Sequence, residues 1–85
     1  MCRNITTLRG LEPPATGEEI QAAARQYLRK VSGIGTPTTR TSGALEAAVR
    51  EVSRTTAELL AALPQRRQPP TSEPPLRRIA RRRGV

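Results

Sequence analysis

Large apolar residues recur at helical spacing in two stretches of this chain, and both stretches end before Pro64. Apolar positions three or four residues apart form one stripe along an amphipathic helix. The first stripe is Ile20, Ala23, Ala24, Tyr27, Leu28 and Val31, and the second is Leu45, Val49, Val52, Thr56, Leu59 and Leu63. The pattern predicts an all-α protein built on a two-helix hairpin, with helices over about 17–32 and 43–63.

The ends of the first helix carry recognisable capping residues. Thr16, followed three residues later by Glu19, is the sequence of a capping box. Gly33 can adopt the left-handed conformation that ends helices, and Ile34 behind it can fold back onto Leu28 in a Schellman-type stop. We therefore expect a sharply bounded first helix.

The second stripe has the spacing 4, 3, 4, 3, 4, which is a heptad seam, and Ala48 and Leu60 widen it. Thr41 or Ser42 can cap this helix, and Pro64 ends it. Two packings remain open: the seam faces a second copy of the chain in a homodimer, or the first helix and an N-terminal arm cover it in a monomer. Tyr27 is the single aromatic residue, and we expect it in the small core.

The N-terminal arm, which opens the chain with Met-Cys-Arg-Asn-Ile-Thr-Thr-Leu-Arg-Gly-Leu-Glu-Pro-Pro at 1–14, is harder to interpret. Ile5, Leu8 and Leu11 are spaced by three, which suits a short turn or 3₁₀ segment laid across the helix pair. Thr6 and Thr7 suit an extended stretch equally well.

The composition changes at Pro64. Residues 64–85 hold seven arginines, five prolines and one acid, a net charge of +6, whereas residues 1–63 hold eight basic and six acidic residues, a net of +2. A segment so poor in large apolar groups cannot offset its ordering entropy. We predict a helical domain over 1–63 and a disordered basic tail over 64–85, in which Leu76, Ile79 and Ala80 mark a helix face that forms only on binding.

Clustered arginines predict an acidic partner, and nucleic acid is the foremost candidate because Arg neutralises phosphates regardless of base sequence. The residues assigned to this binding are Arg66, Arg67, Arg77, Arg78, Arg81, Arg82 and Arg83. Two alternatives stay open: a solvated tail without a dedicated partner, and a protein-interaction or self-associating adaptor that acts through the arm and helix pair. A genome rich in G and C would explain Arg over Lys, but not the clustering.

Several functional classes are disfavoured by what the sequence lacks. There is no His, and Cys2 has no second Cys or His with which to bind zinc. We therefore predict no metal, cofactor, small-molecule substrate or catalytic residue, and hence no enzyme. Thiol chemistry at Cys2, with its own α-amine as base after removal of Met1, is the weakest alternative. A single cysteine fits the reducing cytoplasm. The sequence contains no run of about 18 apolar residues, so we predict no membrane span.

Several short motifs carry a family resemblance. They are Met-Cys-Arg-Asn-Ile at 1–5, Glu-Pro-Pro-Ala-Thr at 12–16, Glu-Glu-Ile at 18–20 and the stretch 27–33. In these the chain resembles a small bacterial domain family of unknown function. The resemblance covers about residues 1–63, leaves the Arg/Pro tail outside, and implies a small helical bacterial protein without supplying an activity or ligand.

Overall fold

Three helices make up the regular structure in this computed structural model, which describes residues 5–64, 70 and 73–84 and, for residues 80–84, the backbone alone. They are α1 (Gly17–Ser32), α2 (Ser42–Ala62) and α3 (Pro75–Gly84), and the described residues contain no strand. The all-α class is confirmed, and α1 and α2 lie within one residue of the predicted ranges. A helix at 75–84 departs from the predicted disorder of the tail.

Helix α1 is bounded by the predicted caps. The Glu19 N–H donates to Thr16 Oγ1 at 3.1 Å, and the Thr16 N–H donates to Glu19 Oε1 at 2.8 Å, so the capping box is complete. At the other end Gly33 has φ 75°, and its N–H donates to Arg29 O at 2.9 Å. This single bond is the simpler αL stop, in place of the two-bond Schellman pattern.

Helix α2 begins without the predicted side-chain cap. Thr41 occupies the N-cap position, but its hydroxyl makes no capping bond and instead accepts a hydrogen bond from the Thr38 N–H at 2.9 Å. The Ser42 N–H donates to Thr38 O at 2.8 Å. The preceding loop is thus already wound into a turn, and the threonine side chain stabilises that turn rather than the helix end.

The two long helices pack against each other around a small apolar cluster. Its buried members are Ala24 of α1 with Leu45 and Val49 of α2, and Val49 is only 2% exposed. The partly buried residues Leu28, Ile34 and Val52 pack against the cluster. Ile34 and Leu28 therefore reach the same core, as the sequence predicted.

A second cluster joins the N-terminal arm to the opposite end of the hairpin. Leu8 and Leu11 are buried against Ile20, with Ala15 and Leu60 packed around them. The Leu11 N–H donates to Leu8 O at 3.5 Å across a turn. Because this turn includes Gly10 at φ 89°, a residue with a side chain would be strained there. From Ile5 onward, where the structure describes it, the arm therefore covers the helix pair through a turn and forms no 3₁₀ helix.

Four residues of the two predicted apolar stripes are exposed: Tyr27, Val31, Leu59 and Leu63. Leu59 is 56% exposed, and its neighbour Leu60 packs into the arm cluster instead. A straight α-helix has 3.6 residues per turn, so a stripe at heptad spacing drifts by about 20° per seven residues and leaves the contact face. Tyr27 is 49% exposed and belongs to neither of the two apolar clusters. The placement of Tyr27 in the core was therefore wrong.

Candidate polyanion-binding surface

Helix α3 has a regular start but is too short to be stable by itself. Pro75 occupies the first helical position, where a missing N–H costs nothing, and Pro74 O accepts the N–H groups of Arg77 at 3.1 Å and Arg78 at 3.3 Å. Leu, Arg and Ala are good helix formers. Isolated helices of fewer than about 12 residues are nonetheless marginal in water, and α3 has 10. Contacts with the rest of the chain must therefore hold it.

The side chain of Arg77 supplies those contacts. Its Nε donates to Glu19 Oε2 at 3.1 Å, and its Nη2 donates to Glu19 Oε1 at 3.0 Å. Its Nη1 donates to Pro13 O at 2.9 Å, and Nη2 also donates to Pro14 O at 3.3 Å. We call this set of four bonds the Arg77 clamp. It uses the planar fork of the guanidinium on a carboxylate and two carbonyls at once.

The carboxylate of Glu19 belongs to both the capping box and the clamp. The side chain is 5% exposed and that of Arg77 is 14% exposed, so the pair is largely removed from water. Burial raises the pKa of Glu19, but the hydrogen bond from the Thr16 backbone and the bonds and charge of Arg77 outweigh it, and the pKa is lowered overall. Glu19 is therefore ionised at neutral pH, and one carboxylate ties the start of α1 to α3.

The sequence-predicted binding residues fall into three groups. Arg77 is engaged in the clamp, whereas Arg78 is exposed and its side chain makes no hydrogen bond or ion pair within the described residues. Arg81, Arg82 and Arg83 lie on the backbone of α3, and positions 78, 81 and 82 share one helix face by their i, i+3, i+4 spacing. Arg66, Arg67 and Cys2 lie outside the described residues.

Sequence reasoning missed the structural use of arginine against backbone carbonyls. Besides the clamp, Arg9 donates from Nε and Nη2 to Pro64 O, at 3.1 and 2.7 Å, and so fastens the arm to the end of α2. Arg29 donates to the carbonyls of Ile34 and Gly35 after α1. The acceptors are backbone atoms, so no residue pattern marks them. The capping Glu19 was the one visible part of the clamp.

The described part of the chain contains neither a candidate metal-ligand group nor a candidate membrane-spanning helix. Within it no three His, Cys, Asp or Glu side chains come together in a group that could hold a metal ion. None of its helices combines the length and apolar character needed to cross a bilayer.

The fold and its arginine contacts define a small all-α protein in which a helical hairpin carries a basic C-terminal helix. A family model described as "Uncharacterized conserved protein (DUF2277)" matches residues 1–83, and the chain belongs to that family. The match reaches past the 1–63 range of the resemblance and corrects it, since the C-terminal segment lies within the family as well. Searches of curated proteins and of solved structures gave no match.

Proposed function

We propose that this protein is a small, non-enzymatic binding module that attaches to nucleic acid through the basic helix α3, without reading base sequence. Phosphates would be bound by Arg78, Arg81, Arg82 and Arg83, with Arg66 and Arg67 in support. Arg77 would act as the anchor of α3 rather than as a phosphate ligand. The single cysteine fits a cytoplasmic location for this activity.

The Arg77 clamp is the observation that carries this proposal. It joins α3 to the hairpin through one arginine and leaves Arg78 exposed. Positions 81 and 82 fall on the same face of the helix as 78. A docked helix presents its charges with less ordering entropy to lose on binding than a free tail. Residues 64–85 carry a net charge of +6, so a polyanion is the partner that charge complementarity favours.

Duplex DNA binding at several salt concentrations tests the proposal directly. A double variant, R81Q/R82Q, should reduce the slope of log affinity against log salt by about 1.8, because each lost phosphate contact removes about 0.9. The matched control R40Q/R50Q lowers the net charge equally, at exposed arginines in the loop and on α2. An equal loss in both variants would point to net charge alone, and no binding by the unaltered protein would reject nucleic acid. Tighter binding to anionic lipid vesicles than to DNA would assign the surface to membranes instead.

A second candidate function, self-association through the helix pair, is favoured by one observation. Leu59 near the end of α2 and Leu63 directly after the helix are both exposed, in the half of the heptad stripe farthest from the buried Leu45 and Val49. In a homodimer these side chains would be buried against their copies. Sedimentation across a range of concentrations should then show a dimer that L59Q/L63Q converts to a monomer. A monomer at every concentration before substitution would reject this candidate.

A further inference from the structure

A groove of about 680 Å³ runs along the side of α1 that α2 does not cover. Its wall consists of residues that recur every three or four positions along α1, and no residue of α2 lines it. The α1 residues are Glu18, Gln21, Ala22, Arg25, Gln26, Arg29 and Lys30. From Glu18 to Lys30 the helix rises about 18 Å, which is long enough to follow several phosphates of a nucleic acid strand.

The two ends of the groove come from other parts of the chain. Ile34 and Gly35, in the loop after α1, close one end, and Leu76 of α3 closes the other. Leu76 also lies next to Arg77 in sequence, so the Arg77 clamp positions this end of the groove. The groove therefore ends at helix α3.

The charge along the groove is predominantly positive. Arg25, Arg29 and Lys30 line it, with Glu18 as the single lining acid. Lys30 is exposed and its side chain makes no hydrogen bond or ion pair within the described residues. Since the Arg29 guanidinium is held by two uncharged carbonyls, Ile34 O at 3.4 Å and Gly35 O, it keeps its full charge.

Arg25 adds little net charge to the groove because its guanidinium is paired with a carboxylate. Its guanidinium donates to both carboxylate oxygens of Glu46, with Nη2 to Oε1 at 3.0 Å. That hydrogen bonding raises the pKa of Arg25 and lowers that of Glu46. Once Arg25 is paired, the positive charge that remains in the groove is that of Arg29 and Lys30, at the end next to Ile34, whereas Glu18 lies toward the start of α1.

We infer that this groove is a second phosphate-binding surface, which takes the sugar–phosphate backbone of the same nucleic acid duplex that α3 binds. The inference rests on the proposed function and extends the contact from α3 along α1. The observations favour a nucleic acid over an acidic peptide because the groove offers glutamines and cations along its length, and apolar anchors only at Ala22 and at its ends. Tyr27 does not line the groove, so stacking of unpaired bases has no platform there.

Lys30→Gln tests the groove, with Arg40→Gln as its matched control. Both residues are exposed cations without a partner in the described part of the chain, and Arg40 does not line the groove. On duplex DNA, K30Q should lower the salt slope by about 0.9 and weaken binding about fivefold at 0.15 M salt. R40Q should change neither, and Lys30→Arg should restore both, because it replaces the charge. Circular dichroism of each variant verifies that the fold is kept.

The outcomes separate this inference from the proposed function. If K30Q and R40Q weaken binding equally, or if K30Q has no effect while R81Q/R82Q does, the groove is not part of the contact and the inference is overturned. In the second case attachment through α3 stands alone. If the unaltered protein does not bind duplex DNA at any salt concentration, both proposals fail together.

Discussion

The two parts of this molecule are held together by different physics. Between α1 and α2 the contact is mainly apolar, with Ala24, Leu45 and Val49 almost fully buried and one ion pair, Arg25–Glu46, beside them. Between α3 and the rest of the described chain it is a charged contact, in which Arg77 bonds Glu19 and two backbone carbonyls. The first depends on area removed from water, and the second on the geometry of one guanidinium.

The difference shows how a chain with one aromatic residue organises a basic segment. The apolar residues suffice for one helix pair and its arm, and little remains for α3, whose Leu76 and Ile79 are about half exposed. The hydrogen bonds of the Arg77 clamp hold α3 in place of apolar packing, and they can break without opening the hairpin core. We expect the two regions to respond separately to substitution.

The largest effect should come from the apolar contact. Leu45→Ala removes a side chain that is 5% exposed and should lower the free energy of unfolding by about 2–5 kcal/mol. Leu59→Ala on the same helix removes an exposed leucine and should change it by about 0.5 kcal/mol or less. Urea unfolding followed by circular dichroism measures both. Equal losses would mean that the heptad stripe, including Leu59, is buried as a unit.

Breaking the clamp should release α3 and leave the hairpin folded. Arg77→Gln removes charged hydrogen bonds worth about 1.5–3 kcal/mol, so trypsin should cleave within α3 on the order of tenfold faster. Arg78→Gln removes one trypsin site as well but breaks no described contact, and it should leave the remaining sites protected. Equal cleavage rates in the two variants would show that Arg77 has no special role.

A backbone substitution should have a smaller effect, within the hairpin. Gly33 has φ 75°, and Gly33→Ala should cost about 1–2 kcal/mol although nothing lies within 4 Å of the added methyl group. Gly35→Ala has equal space and no positive φ, so it should be nearly neutral. Thermal unfolding compares the two. A neutral Gly33→Ala would contradict the αL stop.

Lowering the pH should weaken the attachment of α3. This effect on stability should be smaller than those of Leu45→Ala, Arg77→Gln and Gly33→Ala. Because the folded pKa of Glu19 is lowered, its contribution to stability is complete above the ordinary value of 4.5 and is lost as the pH falls through the folded pKa. The carbonyls of Pro13 and Pro14 still accept from Arg77, so protonation should weaken the contact without abolishing it.

A fluorescent probe on α3 reports the release of this helix as the pH falls. It separates the protonation of Glu19 from that of the surface glutamates Glu46 and Glu51, whose pKa values are also lowered, by Arg25 and Arg54. Glu19→Gln should remove the pH dependence of the probe. A dependence that survives this variant would assign it to another group.

The sequence predicted what is determined locally. The capping box at Thr16 and the stop at Gly33 defined α1, and apolar periodicity located α2. Periodicity could not decide which leucine, 59 or 60, faces the core, because that depends on the twist of a real helix against its partner. Tyr27 was misplaced for a different reason. An apolar stripe shows which side of a helix is apolar, but it does not show how far the neighbouring element extends along that side.

The candidate site was less predictable than the fold. The arginine-rich segment was visible, but its docking joins residues 58 positions apart through one capping glutamate, a contact without any local pattern. Disorder was expected over 64–85 because the segment is poor in apolar residues. That argument considers apolar burial alone and leaves out the hydrogen bonds that the Arg77 clamp makes. The groove on α1 had one signal, the cations at 25, 29 and 30, but its ends come from a loop and from α3.

Amide hydrogen exchange over α3 tests the central claim, that Arg77 fastens the C-terminal helix to the hairpin. A helix of 10 residues is not stable alone, so protection there requires docking. In the unaltered 85-residue chain at neutral pH, amides 79–84 should exchange at least about tenfold more slowly than unstructured amides, and Arg77→Gln should abolish the difference. Exchange at the unstructured rate before any substitution would contradict the account.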